Sequence, residues 1–149
     1  MNGIVTEKLT KRYKDVTAVD GLSLSVKKGE LFALLGVNGA GKTTAVKMLC
    51  GITEPTDGNA WLSGKSIVTE LRAVKGIIGV SPQESAVAPN LSGKENLEMM
   101  CGVHGFSKEK TAAKVAELAE KFGLDEGMKR RAGKLSGGWQ RRCSIAMAL

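Results

Sequence analysis

The first pattern along the chain is a pair of alternating segments, Ile4 to Leu9 and Leu22 to Val26, in which apolar and polar residues take turns. A period of two turns one set of side chains inward and leaves the other wet, so both segments predict half-buried strands forming an antiparallel edge. Leu31-Phe32-Ala33-Leu34-Leu35 breaks that alternation, because it is a short continuous apolar run after the turn Lys27-Lys28-Gly29. A run of this kind predicts a strand covered on both faces, in the centre of a parallel sheet. Residues Lys42 to Leu49 then predict a helix. Thr53 to Gly58 is a dense turn signal, Asn59 to Leu62 a short strand, Ser63-Gly64-Lys65 a further turn, and Ile77-Ile78-Gly79-Val80 a second candidate core strand.

Beyond Pro89 the period changes to that of helices. Ser92 with Glu95 three residues later forms a capping box that opens a helix through about Val103. Ser107 caps the next one, whose Val115, Leu118, Ala119 and Phe122 fall at i, i+3, i+4 and i+7 before Gly123 stops it. Ser136 is an N-cap for a last helix that begins at about Trp139 and is still in progress at Leu149. The pattern thus predicts an α/β core over residues 1–90 and a helical subdomain over 91–149, joined through Pro82-Gln83 without a low-complexity linker or repeat.

The chemistry lies where the apolar run gives way to the first helix. Gly36-Val37-Asn38-Gly39-Ala40-Gly41-Lys42-Thr43 has the form G-x-x-x-x-G-K-[ST]. Its glycines let the backbone curl so that N–H groups from about Asn38 to Thr43 point inward, and the helix N-terminus adds partial positive charge. Lys42 can reach the outer phosphates of a nucleoside triphosphate as a point charge. The Thr43 hydroxyl can take one position on a Mg²⁺ bridging two of them, and Thr44 supplies a further donor. A second helix N-terminus is prepared for an anion at Leu135-Ser136-Gly137-Gly138, where two glycines allow close approach to backbone amides.

Composition narrows the classes. The chain has 149 residues and 42% hydrophobic positions, enough for one ordinary domain with a core. No stretch approaches the roughly 18 apolar residues of a membrane span, and the opening residues have no signal core, so a cytoplasmic protein is expected. Cys50, Cys101 and Cys143 are far apart and never in C-x-x-C spacing, which supports neither disulfides nor zinc; they read as reduced packing thiols. The formal charge is +7, and between Lys129 and Arg142 stand six basic residues and no acidic one. With aromatics at 4% and no nucleic-acid module, a solvated basic face near a triphosphate fits better than nucleic-acid binding. His104, the only histidine, reads as a solvent-facing residue at a helix end, and Met99 and Met100 as helix packing.

With both motifs in this order, the chain resembles, over its whole length, the nucleotide-binding domain of the ATP-binding cassette (ABC) ATPases. Gly36 to Thr44 matches the family's Walker A loop, Leu135 to Gly138 its signature motif, and Gln83 its Q-loop glutamine; Tyr13 stands where the family stacks an aromatic on adenine. The resemblance implies a P-loop NTPase (RecA-like) α/β core with an antiparallel β edge and a helical subdomain. It implies ATP and Mg²⁺ as ligands, with Gln83 touching Mg²⁺ or the attacking water. It also implies a head-to-tail pair of domains, so that Ser136, Gly137 and Gly138 serve the partner's nucleotide. Lys42, Gln83 and Ser136 would be the catalytic set, and Tyr13, Gly36, Asn38, Gly39, Ala40 and Gly41 would complete the binding residues. Trp139 departs from the family, whose signature most often continues with glutamine, here Gln140.

About fifty residues separate Gln83 from Ser136, which fits the helical subdomain of transporters and not the long insertions of chromosome and repair ATPases. The resemblance therefore implies the energy-coupling ATPase subunit of a membrane transporter, peripheral at the inner face of the membrane beneath separate membrane-spanning subunits, closest to exporters of the drug-resistance or sodium-extrusion kind. A soluble ABC-type ATPase acting on ribosomes or DNA is the alternative, as is a nucleotide-binding module without catalysis. In the family an apolar strand ending in Asp-Glu and a switch histidine follow the signature helix. They are absent from these residues, so the chain reads as an N-terminal fragment, hydrolysis-deficient alone, with a sheet edge that needs a cover.

Overall fold

The computed structural model describes residues 2–149. Four strands form one sheet in the order β2-β1-β3-β4: β1 is Asn2–Tyr13, β2 Val16–Lys27, β3 Asp57–Leu62 and β4 Lys65–Ser66. Every pairing is antiparallel. The two alternating segments of the sequence are the centres of β1 and β2, extended at both ends. In β1 the inward set begins on even positions, with Ile4 and Thr6, and continues on Leu9, an odd one. A register shift between Thr6 and Leu9 makes the switch, with Lys8 at φ 46° as the extra residue. The Thr6 hydroxyl, 2% exposed, ties this irregular stretch down: it donates to Leu22 O at 2.9 Å and accepts from Leu24 N–H at 3.0 Å.

Helix α1 spans Lys42–Leu49 and lays Ala45 and Met48 on the sheet's core, with Leu9, Val19, Ala60, Leu62, Ile67 and Val74. Val74 comes from α2, Leu71–Lys75, a five-residue helix too short to show a period in the sequence. Leu31–Leu35, expected as a central strand, is not one, and neither is Ile77–Val80. Leu34 and Ile78 do lean on the sheet's core, whereas Leu31 is fully exposed and Leu35 is 87% exposed. An apolar run specifies a wish for burial; a strand also needs a neighbour to complete its ladder, and among the described residues no strand pairs with either segment.

The chain forms two compact units, Met1–Ile78 and Gly79–Leu149. The second begins ahead of the expected boundary after residue 90, because Ser81 and Ala86 are already hydrogen-bonded to its last helix. It is built from α3 (Gly93–Val103), α4 (Lys108–Phe122) and α5 (Gly137–Ala146), with two short 3-10 turns between α4 and α5. The capping box at Ser92 is complete: Ser92 Oγ accepts from Glu95 N–H at 3.2 Å, and Glu95 accepts from Ser92 N–H at 2.7 Å. That second bond holds the Glu95 carboxyl below the usual carboxylate range. Ser107 caps α4, and Gly123 ends it at φ 59°, the left-handed turn that glycine adopts without strain. His104 is the exposed C-cap of α3, Met100 packs on the core and Met99 faces outward.

Leu97, Leu118, Leu124, Trp139 and Cys143 make the centre of this second core. All three cysteines are free thiols. Burial pushes the Cys143 thiol up from its ordinary 9.0 to about 11, since the apolar surroundings disfavour a thiolate. The folded chain therefore holds a proton that the unfolded chain releases above pH 9, so this group costs stability as pH rises from about 9 to 11. Iodoacetamide at pH 8 is expected to leave Cys143 unmodified in the native protein and to label it in denaturant, as read by mass spectrometry. Native labelling as fast as denatured labelling contradicts the packing described.

Candidate functional site

The loop Gly36–Gly41 and the first turn of α1 form the centre of the first unit's site. Ala40 N–H closes a turn onto Val37 O at 3.2 Å, and the first full helical bond is Ala45 N–H to Gly41 O at 2.8 Å. No side chain caps α1, and its first turn carries no acidic residue. The N–H groups of Lys42, Thr43 and Thr44 thus find no acceptor among the described residues. A helix start with free N–H groups and no competing carboxylate can receive an anion, with the dipole aligned to favour negative charge.

Gly41 makes the geometry possible. It adopts φ 80°, and a Cβ there would collide with the Ala18 carbonyl of β2 and press on Val19. The loop is thereby buttressed by the strand behind it. Lys42 folds back over the loop, its Nζ donating to Gly36 O and to Val37 O at 2.6 Å each. The ammonium is held at the mouth of the loop, where it bridges both carbonyls. The Thr43 side chain is exposed and makes no hydrogen bond among the described residues. Tyr13, at the end of β1, is 46% exposed, with Lys11 Nζ 5.2 Å from its ring centroid. That ring keeps its other face available for a flat partner.

The remaining expected residues belong to the second unit. Ser136 caps α5, its hydroxyl accepting from Trp139 N–H at 3.2 Å. Gly137 and Gly138 have open space where a side chain would stand, so their backbone is approachable. Trp139 faces the other way. It is 2% exposed and its indole N–H donates to Leu124 O at 3.3 Å, so the position that departs from the family pattern serves the core. Gln140 turns its amide to Leu135 O at 3.0 Å, closing the turn before α5. Gln83 is exposed, on an irregular segment whose neighbours are bonded to α5: Ser81 to Ser144, Pro82 O to Arg141, Ser85 to Gln140 O and Ala86 to Ser144.

Much of the basic run has work inside the fold. Arg142 donates to Phe122 O at 3.0 Å and to Gly123 O at 3.4 Å, covering the carbonyl end of α4, and Arg130 pairs with Glu126 at 2.9 Å. Sequence reading missed the role of Ser144, 1% exposed on the inner side of α5. Its signal was available: it is the one hydroxyl in the apolar run from Cys143 to Leu149. Among the described residues no group of three His, Cys, Asp or Glu side chains could hold a metal ion, and no helix is long and apolar enough to cross a membrane.

The ABC transporter family model matches residues 19–149. Nod factor export ATP-binding protein I of Burkholderia thailandensis is 41% identical over 143 residues, covering 96% of this chain and 47% of that protein. Doxorubicin resistance ATP-binding protein DrrA of Mycobacterium tuberculosis is 42% identical over 134 residues, 90% of this chain and 40% of its own length. The chain spans about half the length of such relatives. Among solved structures, cbiO1 of Clostridium perfringens, part of the ABC transporter complex cbiONQ, superposes with a TM-score of 0.90 at 23% identity, over 99% of this chain and 61% of its own. The ATP binding subunit of an ABC transporter gives 0.83 at 23% identity, over 97% and 60%. The fold is accordingly the P-loop NTPase type, mixed α/β with an antiparallel β edge and a helical part. Both signals, the match across residues 19–149 and the shared fold, lead to one statement: the chain belongs to the ABC transporter family.

Proposed function

We propose that this chain carries the nucleotide-binding part of an energy-coupling ATPase subunit of an ABC-type membrane transporter, an exporter by the printed functions of its relatives. The observation that carries the reading is the uncapped first turn of α1 under the Lys42 ammonium. The free N–H groups of Lys42, Thr43 and Thr44 cradle the phosphates of ATP, and Lys42 leaves its two carbonyls to meet the outer phosphates. Gly36, Asn38 and Ala40 shape the loop, and Tyr13 stacks on the base. The Thr43 hydroxyl is a hard oxygen donor suited to Mg²⁺. Mg²⁺ held there would supply positive charge that neutralises part of the phosphate charge. Gln83 is the residue that would touch Mg²⁺ or the attacking water.

Ser136, Gly137 and Gly138 face the nucleotide of a second copy, so each site is completed by two chains. The pair docks on a membrane-spanning subunit at the inner face of the membrane. The test uses Ser136→Gly in the full-length protein, since glycine keeps most of the capping preference while removing the hydroxyl. Mg·ATP binding to the monomer is expected to stay within about twofold while turnover falls about 10²-fold, the cost of one lost donor at a developing charge. Equal losses in binding and turnover would place Ser136 outside the shared site.

A further inference from the structure

Ser144 sits eight residues after Ser136 in the same helix, and its hydroxyl is almost fully buried. Its Oγ accepts from Ala86 N–H at 3.2 Å and lies 3.3 Å from Ser81 Oγ. One hydroxyl thus holds both ends of the segment 81–86, accepting from Ala86 N–H and sharing a hydrogen bond with the Ser81 hydroxyl. Gln83 is between those two points, and two further bonds reach the same segment from α5: Arg141 to Pro82 O, and Ser85 Oγ to Gln140 O. The next stretch is fixed separately, by Asn96, which is fully buried and bonds Ala88 N–H at 2.8 Å as well as the carbonyls of Ala88, Leu91 and Ser92.

We infer that Ser144 is a positioning residue for Gln83, clamping the Ser81–Ala86 segment to the helix that begins at Ser136. The inference rests on the proposed function for the role of Gln83. The physical argument is that Gln83 itself is exposed and its side chain finds no hydrogen-bond partner among the described residues, so its direction is set by the backbone on either side. Alanine at 144 releases both anchors together. The Arg141 and Ser85 contacts are exposed and compete with water, so they hold the segment less firmly.

Ser144→Ala in the full-length protein is expected to lower turnover about tenfold while the Kd for Mg·ATP stays within twofold, since the loop at Lys42 is untouched. Amide exchange read by NMR without nucleotide should show Ala86 N–H exchanging at least fivefold faster. Ser144→Thr, which keeps the hydroxyl, should restore slow exchange and most of the turnover. Cys143→Ala is the control for packing alone, because it empties a neighbouring core position while keeping the Ser144 hydrogen bonds to Ser81 and Ala86; its turnover should stay within twofold. The inference is overturned if Ser144→Ala leaves Ala86 exchange unchanged, or if Cys143→Ala lowers turnover as much as Ser144→Ala does. Failure of the unsubstituted protein to bind Mg·ATP overturns the proposed function instead, and leaves the exchange result to be read on its own.

Discussion

Lys42→Ala is expected to weaken Mg·ATP binding by about 10- to 10²-fold, the range of roughly 1.5–3 kcal/mol for hydrogen bonds to a charged group. Turnover in the full-length protein should fall by a further factor of about 10²–10³, because the ammonium acts on charge that builds up as the outer phosphate leaves. Folding should be nearly unaffected. The two carbonyls that Lys42 bridges, Gly36 O and Val37 O, lie on an exposed loop where water replaces the lost donor. Titration with a fluorescent ATP analogue, phosphate release and a thermal melt separate the three quantities. Unchanged binding with an unchanged melting temperature would refute the assignment of the loop.

The second large effect is structural. Trp139→Ala should destabilise the second unit by about 3–5 kcal/mol, the usual cost of emptying a large aromatic site in a core. The ring is 2% exposed, it packs where Gly93 and Gly127 leave no room for a side chain, and its N–H is bonded to Leu124 O. Trp139→Phe keeps most of the packing and removes one of the two donors to that carbonyl, which still accepts from Gly127 N–H at 2.9 Å, so about 1 kcal/mol of loss is expected. Denaturant melts followed by helical circular dichroism decide the matter. A loss below about 1 kcal/mol for Trp139→Ala would mean that the site collapses around the gap, contrary to the close fit described.

The residues that make this second effect large also show where sequence reading stops. Trp139 reads as a departure within the signature motif, since spacing places it among residues expected at a nucleotide. The structure turns it inward because α5 presents Ser136, Gly137 and Gly138 at its open end and Trp139, Cys143 and Ala146 to the core. A linear motif does not say which face of a helix each of its positions occupies. Ser144 illustrates the same limit. Its partners, Ser81 and Ala86, lie some sixty positions earlier, and no local pattern links them.

Local interactions, in contrast, left clear marks. The capping box at Ser92 and Glu95, the cap at Ser107, the stop at Gly123 and the start of α1 at Lys42 stand where the residues place them. Each depends on groups within one turn of each other, and such geometry is written in the order of residues. The fate of Leu31–Leu35 was not written there. Hydrophobicity asks for burial, but strand formation depends on a ladder partner elsewhere in the chain, and the sheet is completed by β1 to β4 without that segment.

By itself, then, the sequence determined the boundaries of α1, α3 and α4, the antiparallel β edge and the glycine-rich loop between Gly36 and Thr43, because all of these follow from short-range spacing and backbone preference. The last helix, expected from about Trp139 through Leu149, instead spans Gly137–Ala146. Only the tertiary structure decided that Gly41 is buttressed by the Ala18 carbonyl, that Lys42 bridges Gly36 and Val37, that Trp139 belongs to the core, and that Ser144 holds the ends of the Gln83 segment. Those facts depend on which distant groups meet once the chain has folded, and the energy of such meetings comes from packing and hydrogen bonds that no local pattern encodes.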